Sequence, residues 1–265
     1  MSRPNTTEKP TIQTTQHDNL QTRPITALPP MISHYALTQQ RKFANPAPLG
    51  LGAFALTTFV LSCINLKVLD ITAPNLVIAL AYAYGGLIQL LAGMWEIACG
   101  NTFGATALSS YGGFWLSFGI LLTPSFGIVE SYQTQTQTAA GGSGTTNTFH
   151  DAFALYLWAW FIFTTLCLLV TTRSNLAFFF LFFVLDLAFL CLALGEQYAL
   201  TSAAEGLHKA GGVFGVLAAF AAWWNMFAGM ADQENFWLEV PVGRLPWSGK
   251  ERRRGEKGDI GEKLV

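Results

Sequence analysis

Six apolar runs, each long enough to cross a bilayer as a helix, are separated by short polar breaks. They span Leu49–Leu66, Leu76–Trp95, Phe103–Leu122, Phe153–Val170, Leu176–Leu194 and Gly211–Met230. Lys67 to Pro74 holds charges and a proline, and Glu96 to Thr102 holds a charge, Gly100 and Asn101. Thr123 to Asp151 is a loop rich in Thr, Gln, Gly and Ser, Thr171 to Asn175 turns around Arg173, and Glu196 to Lys209 carries charge and His208. A lipid-embedded backbone must satisfy its own hydrogen bonds, so runs of this length read as helices. The pattern predicts an all-α integral membrane protein with six transmembrane helices.

Small residues recur along three of these spans: Ala105, Ser109, Gly113 and Ser117; Ala81, Gly85 and Gly93 with Gln89 in register; and Gly211, Gly215 and Ala219. Such stripes let helix backbones approach closely where no hydrophobic effect drives helices together. They suit tight packing within one bundle first, and for some stripes an interface between protomers.

Composition strengthens the membrane reading. Hydrophobic residues make up 51% of the 265 and charged residues 12%, about half the share of a soluble domain. Of the 31 charges, 7 precede Asn45 and 14 follow Met230, leaving 10 for the 186 residues between. Residues 1–44 and 244–265, polar and without periodicity, read as disordered tails around a transporter domain at 45–243. The first 44 residues hold no apolar segment of signal-peptide length, so the first span is expected to serve as the targeting signal. Placing both tails in the cytoplasm puts 13 of the 15 Lys and Arg there, leaving Lys67 and Lys209 outside. The net charge of −1 implies no attraction to nucleic acid.

Several polar groups sit at depths where lipid penalises them: Asn45, Gln89, Glu96, Asn101, Thr102, Tyr111, Asp186 and His208. Asp186 lies mid-span among phenylalanines, where an ionised carboxylate costs about 2.5–3.5 kcal/mol on insertion scales. It must face a wet cavity, find a donor or stay protonated, which makes it the candidate for carrying a coupled proton. Glu96, at a helix end, is expected to be a solvated interfacial carboxylate. Asn45-Pro46-Ala47-Pro48 fixes an extended approach to the first span, and the helix amides behind it form a resting place for a carboxylate. A rigid helix cap would use the same residues.

The run NPAPLGLGAFALTT resembles the segment that opens the first helix of the acetate uptake transporter family, which includes bacterial succinate–acetate permeases and fungal acetate permeases. YGGLIQLLAG and WEIACGNTFGATALSSYGGFWLS resemble its second and third helices; FLCLALG, HKAGGVFGV and ENFWLEVPVG also fit. The similarity covers Phe43 to Gly243, and the tails and third loop resemble fungal members. The resemblance implies a homo-hexamer with one pathway per protomer, gated by Phe54, Tyr111 and Leu185. It also implies polar substrate contacts at Asn45, Gln89, Glu96, Asn101 and Thr102. Asp186 departs from the bacterial pattern, where a small polar residue stands.

Together these readings predict a plasma-membrane transporter of acetate and other short monocarboxylates, with succinate a further candidate and a co-transported proton expected. An ammonium or ammonia exporter, and a sensor or scaffold on the same fold, are the alternatives. Neither G-x-x-x-x-G-K-[ST] nor G-x-S-x-G occurs, so neither direct ATP coupling nor a serine hydrolase is indicated. His150 and His208 flank loops singly and Cys63, Cys99, Cys167 and Cys191 lack metal spacing; no metal or other cofactor and no enzymatic activity are expected.

Overall fold

The computed structural model describes residues 43–132, 148–231, 236–238, 240–243 and 245. The expected tails therefore lie, but for Phe43, Ala44 and Leu245, outside the described residues, as does most of the third loop. Contacts divide the chain into Met1–Phe43 and Ala44–Val265, and the helices belong to the second unit.

Among the described residues, six helices have the length and apolarity to cross a membrane. They are α1 (Ala47–Asn65), α2 (Asn75–Ala98), α3 (Thr102–Leu122), α4 (Thr148–Thr171), α5 (Leu176–Gln197) and α6 (Ala203–Met230). Each covers an apolar run read from the sequence. α4 and α6 start earlier than those runs, at Thr148 rather than Phe153 and at Ala203 rather than Gly211. Hydropathy marks the lipid-facing slab, whereas a helix continues into the interface, where Glu205, His208 and Lys209 keep water or polar partners.

α5 packs between α4 and α6, α6 also packs on α1, and α2 packs on α3 and α1. α1 is the most enclosed span and α4 the least. The small-residue stripes serve these contacts. A Cβ on Gly93 would run into the Ser109 backbone of α3, and one on Gly215 would strike the Ser62 hydroxyl of α1. Part of the α3 stripe points away: Gly113 is exposed, with nothing near the position of its missing Cβ.

α2 is interrupted. Its helical ends, Asn75–Tyr82 and Gln89–Ala98, flank a π-helical turn at Ala83–Ile88. Such turns concentrate at functional positions, and this one delivers Gln89 at its end. The turn from α2 to α3 is closed by Gly100 at φ +75 and by Asn101, whose Oδ1 accepts the Gly104 amide at 3.0 Å.

The segment after α6 returns to the start of α5. Leu176 N donates to Gly243 O at 3.1 Å, Ala177 N to Val242 O at 3.0 Å and Phe178 N to Asn175 Oδ1 at 2.8 Å. Helix starts leave amides without intrahelical partners; here the VPVG end of the ENFWLEVPVG run supplies acceptors for two of them.

Candidate functional site

Phe54 of α1, Tyr111 of α3 and Leu185 of α5 converge in the middle of the bundle, exposed by only 5%, 3% and 5%. The Phe54 and Tyr111 rings are 5.9 Å apart at 54°. Tyr111 is held in turn by Phe163, 5.5 Å away and edge-on, and by Phe189, 6.5 Å away and stacked. Its hydroxyl lies 2.9 Å from Thr164 Oγ1 on α4.

A small cavity opens on either side of this trio. One, of about 60 Å³, is lined by the trio with Leu51, Gln89, Asn101, Leu108 and Phe182 among others. Its polar side chains are Gln89, Asn101 and Tyr111, and none is charged. The other, of about 40 Å³, is lined by the same trio with Thr58, Ser62, Asn65, Trp115 and Phe189 among others. Beyond it, past Leu61 and Asn65, lies a vestibule of about 510 Å³ walled by Lys67, His150, Glu196, Glu205 and His208. Vestibule, Ser62 cavity, trio and Gln89 cavity thus follow one another through the protomer.

The Gln89 amide is the most unusual group here. It is fully buried, and neither Oε1 nor Nε2 has a hydrogen-bond partner among the described residues. An unmet buried amide costs about 1–3 kcal/mol, a cost that a polar ligand in the cavity would remove.

Glu96 is not the solvated carboxylate expected from its position at a helix end; it is 2% exposed. Its Oε2 accepts from Asn101 Nδ2 at 2.5 Å, and its carboxylate lies near the Ala47 amide, with Oε1 left without a hydrogen-bond partner among the described residues. Asn45 Oδ1 accepts from that amide, at 3.1 Å. The start of α1, expected as a resting place for an external carboxylate, thus already faces one belonging to the chain. Lipid-depth reasoning missed this because α2 and α3 meet at a tight turn that folds Glu96 under α1.

The remaining predicted residues lie apart. Asn45 is exposed and outside the cavity lining. Thr102 is exposed and lines a separate groove on the outer face of α2 and α3, with Met94, Ala105 and Ser109. Asp186, 9% exposed, accepts from Thr165 Oγ1 of α4 at 3.0 Å and lines neither cavity. Thr164 and Glu196 are not singled out by the sequence, and His150 and His208 stand there as single residues, because their partners come from other helices.

From residue 27 to residue 247 the chain matches the GPR1/FUN34/yaaH family. It belongs to that family. Among its members, acetate permease A of Emericella nidulans is 57% identical over 225 residues, 84% of this chain and 74% of the permease. Ammonia transport outward protein 2 of Saccharomyces cerevisiae is 46% identical over 209 residues, 79% of this chain and 69% of that protein. The solved structure of the bacterial acetate channel SatP superposes with a TM-score of 0.61 at 30% identity, covering 76% of this chain and all of the channel. The six-helix fold of this chain is thus shared with that channel structure.

Proposed function

We propose that this protein carries acetate and other short-chain monocarboxylates across the plasma membrane, one pathway per protomer. The observation that carries the reading is the pair of uncharged cavities meeting at Phe54, Tyr111 and Leu185, one of them holding the unpartnered Gln89 amide. A constriction of two aromatics and a leucine suits a small, weakly hydrated organic acid, whose methyl can slide past rings while an amide meets its oxygens. Acetate permease A and the acetate channel SatP, by name, handle that substrate. Uptake of labelled acetate by proteoliposomes is the test.

In this reading Phe54, Tyr111 and Leu185 are the gate and Gln89 and Asn101 the polar contacts. Asn45, Glu96 and Thr102 shape the mouth at the start of α1 and α3. The basic residues orient both tails to the cytoplasm, which makes the vestibule the outer mouth. The exposed Gly113 side of α3 suits close contact between protomers in a hexamer.

The second reading, ammonia export, is favoured by the yeast relative named for it. An ammonium ion would want a carboxylate at the constriction, and the side chains of the two cavities that meet there include none. Asp186, the carboxylate that reading needs, is turned to Thr165. A proton accompanying acetate is the expected coupling, and this placement favours its travelling with the acid over a relay through Asp186.

A further inference from the structure

The vestibule contains a cluster that the gate does not use. Glu196, at the end of α5, has a side chain only 13% exposed. His150 of α4 lies with Nδ1 2.6 Å from its Oε2, and His208 of α6 with Nε2 3.0 Å from its Oε1. One carboxylate thus joins two imidazoles from two other helices. Gly195 is what lets them meet: a Cβ there would stand 3.1 Å from ring atoms of His208.

The two histidines are not equivalent. His208 faces acceptors at both nitrogens, Glu196 on one side and the Ala204 carbonyl on the other. An imidazolium donates from both nitrogens, so a protonated His208 forms a neutral pair with Glu196. His150 uses Nδ1 on Glu196, while its Nε2 has no protein partner among the described residues and its side chain is 44% exposed on the vestibule wall. Protonating His150 adds one positive charge to the cluster; releasing that proton removes it.

The other charged groups at the vestibule compensate each other in part. Glu205 of α6 pairs with Lys67 at 2.8 Å and with Lys209 at 3.0 Å. Asp151, exposed and next to His150 in the sequence of α4, is a further acidic residue nearby. From α1 and α3 the vestibule receives Leu61, Ile64, Asn65, Phe118 and Leu122, none of them titratable.

We propose that His150, held by Glu196 and His208, makes the vestibule a proton-switched docking site for small carboxylate anions, capturing them before they reach the gate. The inference rests on the carboxylate-transport reading above. Imidazole changes charge between about pH 5 and 8, so capture is strong on the acid side and lost as pH rises. A cleft of one sign concentrates the opposite ion, and the effect appears in KM rather than in the turnover set at the gate.

The test is labelled acetate uptake by full-length protein in proteoliposomes, with the ratio of variant to wild-type KM taken at each pH from 5 to 8. Taking the ratio cancels the titration of acetate itself. His150→Gln keeps a hydrogen bond to Glu196 but never charges; its KM is expected to be about threefold to tenfold above wild type at pH 5 and equal to it at pH 8. His150→Lys carries a fixed charge and is expected to match wild type at pH 5 and fall below it at pH 8. A ratio constant across pH in both variants would overturn the proposal and leave the cluster as a clamp on three helix ends. If His150→Gln does not assemble, His150→Lys alone decides. Absence of uptake by wild type would instead defeat the transport reading, and this inference with it.

Discussion

Tyr111 on α3 donates its hydroxyl to Thr164 on α4, 2.9 Å away, at the level where the two cavities meet. The direction follows from Thr164, whose own hydrogen is given to the Trp160 carbonyl at 2.7 Å. Tyr111 is therefore anchored from behind and presents its ring to Phe54. The anchor is polar and the presented surface apolar, which is how a rigid hydrophobic constriction can be built from a tyrosine.

Two substitutions separate those roles. Phe54→Ala or Leu185→Ala is expected to join the cavities and admit bulkier acids such as succinate, raising their uptake relative to acetate by at least about tenfold, the scale on which a pocket discriminates small apolar groups. Tyr111→Phe keeps the ring and is expected to leave the acid preference intact, while costing about 1 kcal/mol of stability for the lost hydrogen bond. Competition uptake assays read the first and detergent unfolding the second. An unchanged preference in an assembled Phe54→Ala protein would contradict the gate.

Gln89→Leu is expected to move stability and activity in opposite directions. Removing two unmet buried polar atoms should stabilise the protein by about 1–3 kcal/mol. Acetate uptake should fall about tenfold or more, since the amide offered to the substrate is gone. Loss of stability with full uptake would show that Gln89 is an ordinary core residue.

For Asp186 the geometry favours a tie between α5 and α4 through Thr165. Asp186→Asn, which retains an acceptor for that hydroxyl, should keep the wild-type pH profile of acetate uptake. A flattened profile measured over the same range would return Asp186 to the role of proton carrier.

The helices and the meeting of Phe54, Tyr111 and Leu185 are more legible in the sequence than the polar network is. Apolar runs of this length have one solution in lipid, so all the spans could be read directly, and the motif around Phe54 and Tyr111 pointed to residues that the fold brings together. Glu96 and Asp186 were misjudged or left open for one reason: depth along a span says how costly a charge is, but not which helix faces it. Asn101 and Ala47 meet Glu96 only because of the turn at Gly100, and Thr165 meets Asp186 only because α4 lies against α5. His150 and His208, each beside its own loop in sequence, share one carboxylate in space. The π-helical turn before Gln89 has no hydropathy signature, since it changes the hydrogen-bond spacing and not the apolar pattern.

Assembly should depend on the outward part of the α3 stripe. Gly113→Leu meets nothing within the protomer and is expected to leave each protomer folded while shifting native mass spectra from hexamer to smaller species. Gly93→Ala, which drives a methyl into the Ser109 backbone, should reduce the yield of folded protomer instead. Hexamers undiminished by Gly113→Leu would place the interface elsewhere.

Carboxylate transport is tested most directly by labelled acetate uptake into proteoliposomes holding the purified full-length chain, set beside protein-free liposomes and labelled methylammonium. Saturable acetate uptake, competed by other short monocarboxylates and reduced by Gln89→Leu, is the predicted result. Acetate uptake no greater than in protein-free liposomes, with methylammonium moved by the same preparation, would contradict it.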